Sequence, residues 1–565
     1  MLSQVVDLPR TLSDDDCYIF WWVTGPSTTN LPFSHHCHPA TQRRFDFMNF
    51  KNSRVYYLAF VAFWGIITFG YDTGVAGGII AQDSFINHFL ADEGGTVDSS
   101  KVANVSGNVV SVLQAGAFFG SLGSAPISSQ LGRRLSLIYF SIIFALGAIL
   151  QIISGTGGRG LGYVYSGRFV AGLGVGGMSA ISPTFVAECS PKNVRGRITG
   201  VFEVMAVVGV MISYFVNFGI SQHGISGPRV WQIPFGIQLI PTGIMVIGLL
   251  FVKESPRWLA YRGKTQKALE SLAYLRKESI ASHSVQEEMA EIEAAIEEET
   301  EALNEKGKKE IFFGKGNLSR FVIAFFLQFF QQWTGQNSVN YFAPQMFEAI
   351  GYHGATQSLF ASGIYGIIKV VTVIIFTFFL VELLGRKTFL AISSIGSGVL
   401  FFTIGAILKT HPPDANASSP PEASKAMAAL LYLFVVFYAI GWGPIPWIMS
   451  PEIFSTHTRH YGLAVSSASQ WLWNFTVSRI TPLLIASLGW KIFMMFAAID
   501  LGPMLFFCTV LIPETRGKSL EEMDVVFGRV SQGERDAKVK STQRILEADL
   551  QEPEVLSQDD VKEKV

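Results

Sequence analysis

The stretch Gly70-Tyr-Asp-Thr-Gly-Val-Ala-Gly-Gly-Ile-Ile80 closes an apolar run that begins near Tyr56, and it sets the carboxyl of Asp72 inside a segment long enough to cross a bilayer. A carboxylate in that solvent is costly, so it marks a functional site and calls for a partner. The rest of the chain has the same character. Of 565 residues, 49% are hydrophobic, 13% aromatic and only 15% charged, which is a polytopic membrane protein rather than a soluble domain. The net charge of -1 gives no reason to expect a nucleic-acid or acidic partner.

A helix needs about twenty apolar residues to cross the hydrocarbon core, and twelve such stretches follow one another: 56–80, 105–128, 135–156, 161–186, 197–220 and 231–252, then 318–345, 358–382, 388–408, 426–449, 461–487 and 490–512. The chain thus divides into a tail (1–54), a six-helix half (55–252), a hydrophilic connector (253–316), a second six-helix half (317–512) and a second tail (513–565). In the connector, Glu287, Glu288, Glu291, Glu293 and Glu297 to Glu299 interleave with Met289, Ile292, Ala295 and Ile296. That spacing predicts solvated amphipathic helices outside the bilayer. The fold class expected is an all-α membrane protein.

Basic residues set the orientation. Arg43, Arg44, Lys51 and Arg54 precede the first span, and Arg133, Arg134, Lys192, Arg195, Arg197, Arg386 and Lys387 fall in alternate short loops, which predicts both termini and the connector on the cytoplasmic side. Asn416-Ala-Ser is then an outside glycosylation candidate, while Asn104-Val-Ser lies against a span. Cys17, Cys37, Cys189 and Cys508 have no pairing pattern, and His35-His36-Cys37-His38 lacks a second ligand pair at zinc spacing, so neither a disulfide framework nor a metal site is expected. No cofactor motif is read, and the first fifty residues carry no cleavable signal.

The halves repeat. Leu131-Gly-Arg-Arg134 follows the second span and Leu384-Gly-Arg-Lys387 the eighth; Glu188 and Arg195 after the fourth match Glu452 and Arg459 after the tenth; Glu254-Ser-Pro-Arg257 after the sixth matches Pro513-Glu-Thr-Arg516 after the twelfth. Paired halves around a midplane site are a transporter pattern. With Gly167-Arg-Phe-Val-Ala-Gly-Leu-Gly-Val-Gly-Gly177, Gln331-Gln-Trp-Thr-Gly-Gln-Asn337, Gly441-Trp-Gly-Pro-Ile-Pro-Trp447 and Pro513-Glu-Thr-Arg-Gly-Lys518, these motifs resemble the sugar porter family of the major facilitator superfamily over residues 50 to 525. The glycines of 172–177 lie inside an apolar span with no preceding strand, so they read as helix packing rather than a nucleotide loop.

Arg168 lies about 10 Å below one face of the membrane and Asp72 roughly 25 Å above the other, nearly the same depth in a ~30 Å core. The two read as an ion pair, and the resemblance implies proton coupling there. Gln331, Gln332 and Asn337 offer the paired donors and acceptors that a polyhydroxyl ligand needs. The resemblance implies that they form the sugar site with Trp447, Gln470 and Trp471. Lys369 and Glu203 stand where similar carriers usually have Asn and Gln, and Asp500 lies mid-span. A midplane lysine suits a substrate carboxylate, as in fungal quinate and galacturonate carriers, unless Glu203 or Asp500 neutralises it.

The resemblance further implies a network of gating salt bridges between the halves from Glu188, Arg195, Arg197, Glu382, Arg386, Glu452, Arg459 and Arg133. Two departures from the family pattern are Ser129 before Gly-Arg-Arg and His460-Tyr461 after Arg459. The expected protein is a fungal, monomeric, plasma-membrane carbohydrate–proton symporter in the lipid bilayer, moving a hexose, pentose or related polyol by alternating access. The alternatives are a quinate or galacturonate carrier and an uncoupled facilitator. A nutrient receptor is disfavoured by the short charged tail from Glu514, and no constellation of nucleophile, base and oxyanion donors suggests an enzyme.

Overall fold

The computed structural model describes residues 52–91, 98–305, 312–314, 316–381, 383–413, 420–454 and 458–516, with 523, 525–528 and 533. The tail before residue 52, the His35–His38 cluster, Glu382 and Asn416 lie outside the described residues, as do the side chains of Arg195, Arg197 and Arg459.

The first half is built from α1 (Ser53–Ile80), a short α2 (Asp83–Leu90), α3 (Ser99–Leu131), α4 (Arg133–Ile152), α5 (Leu161–Cys189), α6 (Lys192–Gln222) and a broken sixth span, α7 (Arg229–Ile237) with α8 (Leu239–Leu250). The connector contains α9 (Pro256–Tyr261), α10 (Thr265–Arg276) and α11 (His283–Glu305). The second half begins with a seventh span in three pieces, α12 (Asn317–Trp333), α13 (Gln336–Tyr341) and α14 (Ala343–Ala349). Then come α15 (Ala355–Ile375), α16 (Arg386–Thr410), α17 (Glu422–Ala439), α18 (Ile445–Glu452), α19 (Arg459–Leu488) and α20 (Lys491–Ile499), which continues through π-helical turns to Leu511. Among the described residues there is no strand.

Among the described residues, ten helices are long and apolar enough to cross a membrane, and α12–α14 and α19 take the places of the two remaining spans expected from the sequence. These two fall short for a physical reason. The seventh span breaks at Gly335, which adopts φ +80°, and α19 carries Ser466, Ser469, Gln470, Asn474 and Arg479 along its length. Broken or polar helices are tolerated at membrane depth only where protein or a cavity covers them, so the weakest hydropathy coincides with the polar interior.

Within the first half, α1 presses on α6 so closely that a Cβ at Gly70 would lie 1.9 Å from the Ala206 carbonyl oxygen. The α5 glycines pack likewise: a Cβ at Gly176 would sit 2.1 Å from the Ala117 oxygen of α3. Small residues allow this approach where lipid supplies no hydrophobic drive between helices.

The connector is not merely solvated, as its charge pattern suggests. Trp258, Leu272, Val285 and Met289 form a small core of their own. Arg276 ties it to the first half, pairing with Glu288 at 2.6 Å and donating to the Cys189 carbonyl at 3.0 Å. The acidic face survives as the outer face of a docked subdomain.

The sequence repeats become one structural device used twice at this connector end. Glu254 accepts from the backbone N–H of Arg133 at 2.9 Å and of Arg134 at 3.1 Å, capping α4. Glu514 accepts from Arg386 at 2.9 Å and Lys387 at 3.1 Å, capping α16. Each carboxylate meets orphan donors at a positive helix end. Burial pushes the Glu254 carboxyl above its usual range, opposed by the N–H groups of Ser255, Arg133 and Arg134.

Candidate functional site

Asp72 of α1 and Arg168 of α5 are fully buried and meet at 2.5 Å, Nη1 to Oδ1. Arg168 Nε also donates to the Val109 carbonyl of α3 at 2.9 Å, which fixes the guanidinium plane. Among the described residues, the second oxygen of Asp72 and Nη2 of Arg168 have no hydrogen-bond partner, so the pair is monodentate. Tyr341 of α13, in the other half, sits within the field of both charges. Its hydroxyl accepts from Asn474 Nδ2 of α19 at 3.0 Å. The ion pair of one half thus faces two polar side chains of the other.

The amides of the seventh span are chained together. Gln331 Nε2 donates to the carbonyls of Trp442 at 3.0 Å and Gly443 at 2.8 Å, where the tenth span unwinds between α17 and α18. Gln332 Nε2 donates to Gln331 Oε1 at 3.2 Å, and Asn337 Nδ2 donates to Gln332 Oε1. Trp447 is half-buried, with its ring 6.4 Å from that of Phe202 across the halves. Gln470 is buried with Oε1 unpartnered. Trp471 packs edge-on to Phe69 of α1 at 5.7 Å within the apolar cluster of the first half.

Lys369 of α15 is buried and donates through Nζ to Asn340 Oδ1 at 3.2 Å, with the Tyr438 ring 5.8 Å away. Of the two carboxylates that could neutralise it, Glu203 of α6 is the one whose charge acts on it. Asp500 stands elsewhere, packed where α20 meets Gly398 of α16, with both oxygens buried and unpartnered. Asn340, Tyr341, Tyr438 and Asn474 escaped the sequence reading. Only the helix break at Gly335 brings the first two inward, and Tyr438 and Asn474 belong to uncharged polar types with no local signature.

At the far end the halves touch. A Cβ at Gly77 of α1 would lie 1.9 Å from the Tyr341 carbonyl oxygen, and Gln345 donates to the Gly77 carbonyl at 3.2 Å. Tyr214 donates to the Asn340 carbonyl at 2.5 Å, and the Ser221 and Thr356 hydroxyls meet at 2.8 Å. At the connector end the described bridges instead stay inside one half. Arg133 pairs with Glu188 at 2.8 Å, and Ser255 Oγ donates to Glu188 at 2.5 Å. Arg386 pairs with Glu452 at 3.4 Å, and Thr515 Oγ1 donates to Glu452 at 2.6 Å. The bridges expected between the halves involve Arg195, Arg197, Arg459 and Glu382, which lie outside the described side chains.

Residues 58–527 match the family model described as sugar (and other) transporter. A probable quinate permease of Aspergillus fumigatus is 37% identical over 480 residues, 84% of this chain and 88% of that protein. The quinate permease of Emericella nidulans is 35% identical over 483 residues, 85% of this chain and 89% of that protein. Among solved structures, the proton:xylose symporter XylE bound to 6-bromo-6-deoxy-D-glucose is similar with a TM-score of 0.68 and 27% identity, covering 84% of this chain and 99% of that one. The partially occluded inward-open XylE of E. coli gives 0.68 and 26%, covering 83% and 100%.

Proposed function

We propose, from the premise that this chain belongs to the sugar (and other) transporter family, that it carries a small polyhydroxy carboxylate of the quinate type together with a proton, by alternating access. The observation that carries the substrate class is Lys369. A buried ammonium has three donors, one of which meets Asn340, and the same broken span carries the chained amides of Gln331, Gln332 and Asn337. Amides suit hydroxyls, and the spare ammonium donors suit a carboxylate. Relatives named quinate permease support the same class.

A second reading, a neutral monosaccharide, is favoured by Glu203. Its charge acts on Lys369 and leaves the pair formally balanced. In that case Trp447 and Trp471 serve as apolar faces for a sugar ring. The xylose symporter with a bound sugar analogue supports this arrangement by similarity.

Asp72 is the proposed proton carrier. When it is protonated, the charge attraction to Arg168 is lost and α1 is free to shift against α5; when ionised, the pair at 2.5 Å holds them. Coupling then requires substrate and proton to favour the same intermediate differentially. The connector end is read as cytoplasmic, and the carrier as a plasma-membrane monomer. The pairs Arg133–Glu188 and Arg386–Glu452 are the gating groups there, and they exchange partners across the halves when that end closes.

The test is uptake by proteoliposomes containing the full chain, with labelled quinate and labelled xylose as alternative substrates and each acid or sugar as competitor. Saturable quinate uptake, driven by an inward proton gradient and competed by galacturonate, is the expected result. Xylose uptake that quinate does not inhibit overturns the carboxylate reading in favour of the neutral one.

A further inference from the structure

Arg479 of α19 belongs to none of the groups above. It is half-buried near the far end of its helix, and its Nη2 donates to Asn104 Oδ1 of α3 at 3.2 Å, so it bridges the two halves. Its Nη1 is buried with no acceptor, and among the described residues no carboxylate pairs with it. The contact is tight. A Cβ at Gly107 of α3 would lie 2.7 Å from the Arg479 carbonyl oxygen and 3.0 Å from Nη1, so only glycine lets the two helices close here.

We propose that Arg479 is the capture cation for the carboxylate of an incoming substrate, shut against Asn104 when the far end is closed and released when it opens. The inference rests on the polyhydroxy-carboxylate reading above.

A guanidinium offers five donors in a planar fork that a carboxylate accepts two at a time. Here the fork meets one neutral amide oxygen, and among the described residues Nη1 meets no acceptor, a poor match for itself and a good one for a carboxylate. An unpaired cation at membrane depth is costly and is kept where a pathway uses it. The position suits an access path. Along α19, Arg479 stands about 7.5 Å farther out than Asn474, which donates to the Tyr341 hydroxyl. On α3, Gly107 precedes by two residues Val109, whose carbonyl receives Arg168 Nε. Arg479 therefore lies on the far-end side of the proposed proton site, and Lys369 lies about 21 Å along α15 from its far-end start, giving an anion two successive cations on the way in.

Asn104 is the latch. Its Oδ1 takes Arg479 and its Nδ2 donates to the Ser100 carbonyl at 3.0 Å, so the closed state uses both ends of the amide. Exchange of this neutral acceptor for a substrate carboxylate favours the open, loaded state over the open, empty one. That is the differential interaction that a substrate-dependent gate requires. A cation at a narrow mouth also raises the local concentration of anions and their rate of arrival.

The experiment measures initial rates of labelled quinate uptake against concentration for full-length wild type, Arg479→Gln and Arg479→Lys in proteoliposomes, normalised to folded protein by size-exclusion. Xylose serves as the neutral probe. Arg479→Gln is expected to raise KM for quinate roughly tenfold with the turnover number within about twofold. Arg479→Lys is expected to recover most of that loss, and KM for xylose to stay unchanged wherever xylose is carried. A fall in turnover with KM for quinate unchanged, or an equal rise in KM for xylose, makes Arg479 a gate strut only and overturns the proposal. Failure of wild type itself to take up quinate overturns the substrate reading, and is seen without any Arg479 variant.

Discussion

Asp72→Asn replaces one carboxylate oxygen by an amide and leaves the other in place to accept from Arg168 Nη1, so shape and one hydrogen bond survive while the charge and the titration go. The energetic consequence follows from burial. Both partners are 0% exposed, and removing one charge of a buried pair costs about 3–5 kcal/mol, mostly because the other is left uncompensated. The remaining amide oxygen and the Val109 carbonyl keep the loss toward the lower end. The double variant Asp72→Asn/Arg168→Gln removes the stranded cation and is expected to regain much of the thermal stability.

The transport consequence is separate and larger. One proton carried with one quinate anion is electroneutral, so a gradient of one pH unit, worth about 1.36 kcal/mol, supports at most a tenfold accumulation. In proteoliposomes with the membrane potential clamped at zero, wild type is expected to approach that ratio, and Asp72→Asn to equilibrate at a ratio of about one while still exchanging labelled substrate. The double variant must stay uncoupled even though it regains stability. A tenfold accumulation by Asp72→Asn under the same gradient refutes the assignment of Asp72 as proton carrier, whatever its effect on stability.

Lys369→Asn is expected to raise KM for quinate at least tenfold while leaving or improving xylose uptake, as read by the same uptake assay; equal effects on both would assign Lys369 to structure rather than to the substrate carboxylate. Gly77→Ala puts a methyl group 1.9 Å from the Tyr341 carbonyl oxygen and is expected to hold the far end open, so that a cysteine placed at Thr356 becomes more reactive toward an impermeant thiol reagent. Glu254→Ala leaves the backbone N–H groups of Arg133 and Arg134 without their acceptor and is expected to cost about 1–3 kcal/mol in thermal unfolding. Glu254→Gln, which keeps a carbonyl oxygen, should cost less.

How much of this was legible depends on how straight the helices run. The Asp72–Arg168 pairing can be estimated from a constant rise per residue because α1 and α5 are unbroken, and the two carboxylate caps could be suspected from the repeats Glu254-Ser-Pro-Arg257 and Pro513-Glu-Thr-Arg516. Their role could not, because a cap is recognised by where a distant loop returns, and no local pattern says that Glu254 meets α4 or Glu514 meets α16. The seventh span resisted for a different reason. Its break at Gly335 rotates everything downstream, so a helical projection through Gln331 and Gln332 misplaces Asn340 and Tyr341. Arg479 was invisible as a site because its meaning lies in what surrounds it, where among the described residues no carboxylate pairs with it.

The geometry also bears on how a proton event in one half can reach the other. Asp72 and Arg168 both belong to the first half, and a bond between them alone could stiffen that half without moving it against its neighbour. Tyr341 supplies the missing connection. Its backbone carbonyl sits where Gly77 of α1 approaches, and its hydroxyl faces the ion pair while accepting from Asn474 of α19. One residue of the broken seventh span therefore reads both the position of α1 and the charge state beside it. The same span carries Gln331, Gln332 and Asn337 on one side of the break and Asn340, the partner of Lys369, on the other. A short, unwound helix can tilt without dragging a long rod through the bilayer. If Asp72 carries the proton and these amides hold the substrate, as proposed, both ligands bias the same movable piece, and two ligands become thermodynamically coupled when they act on one element with two positions.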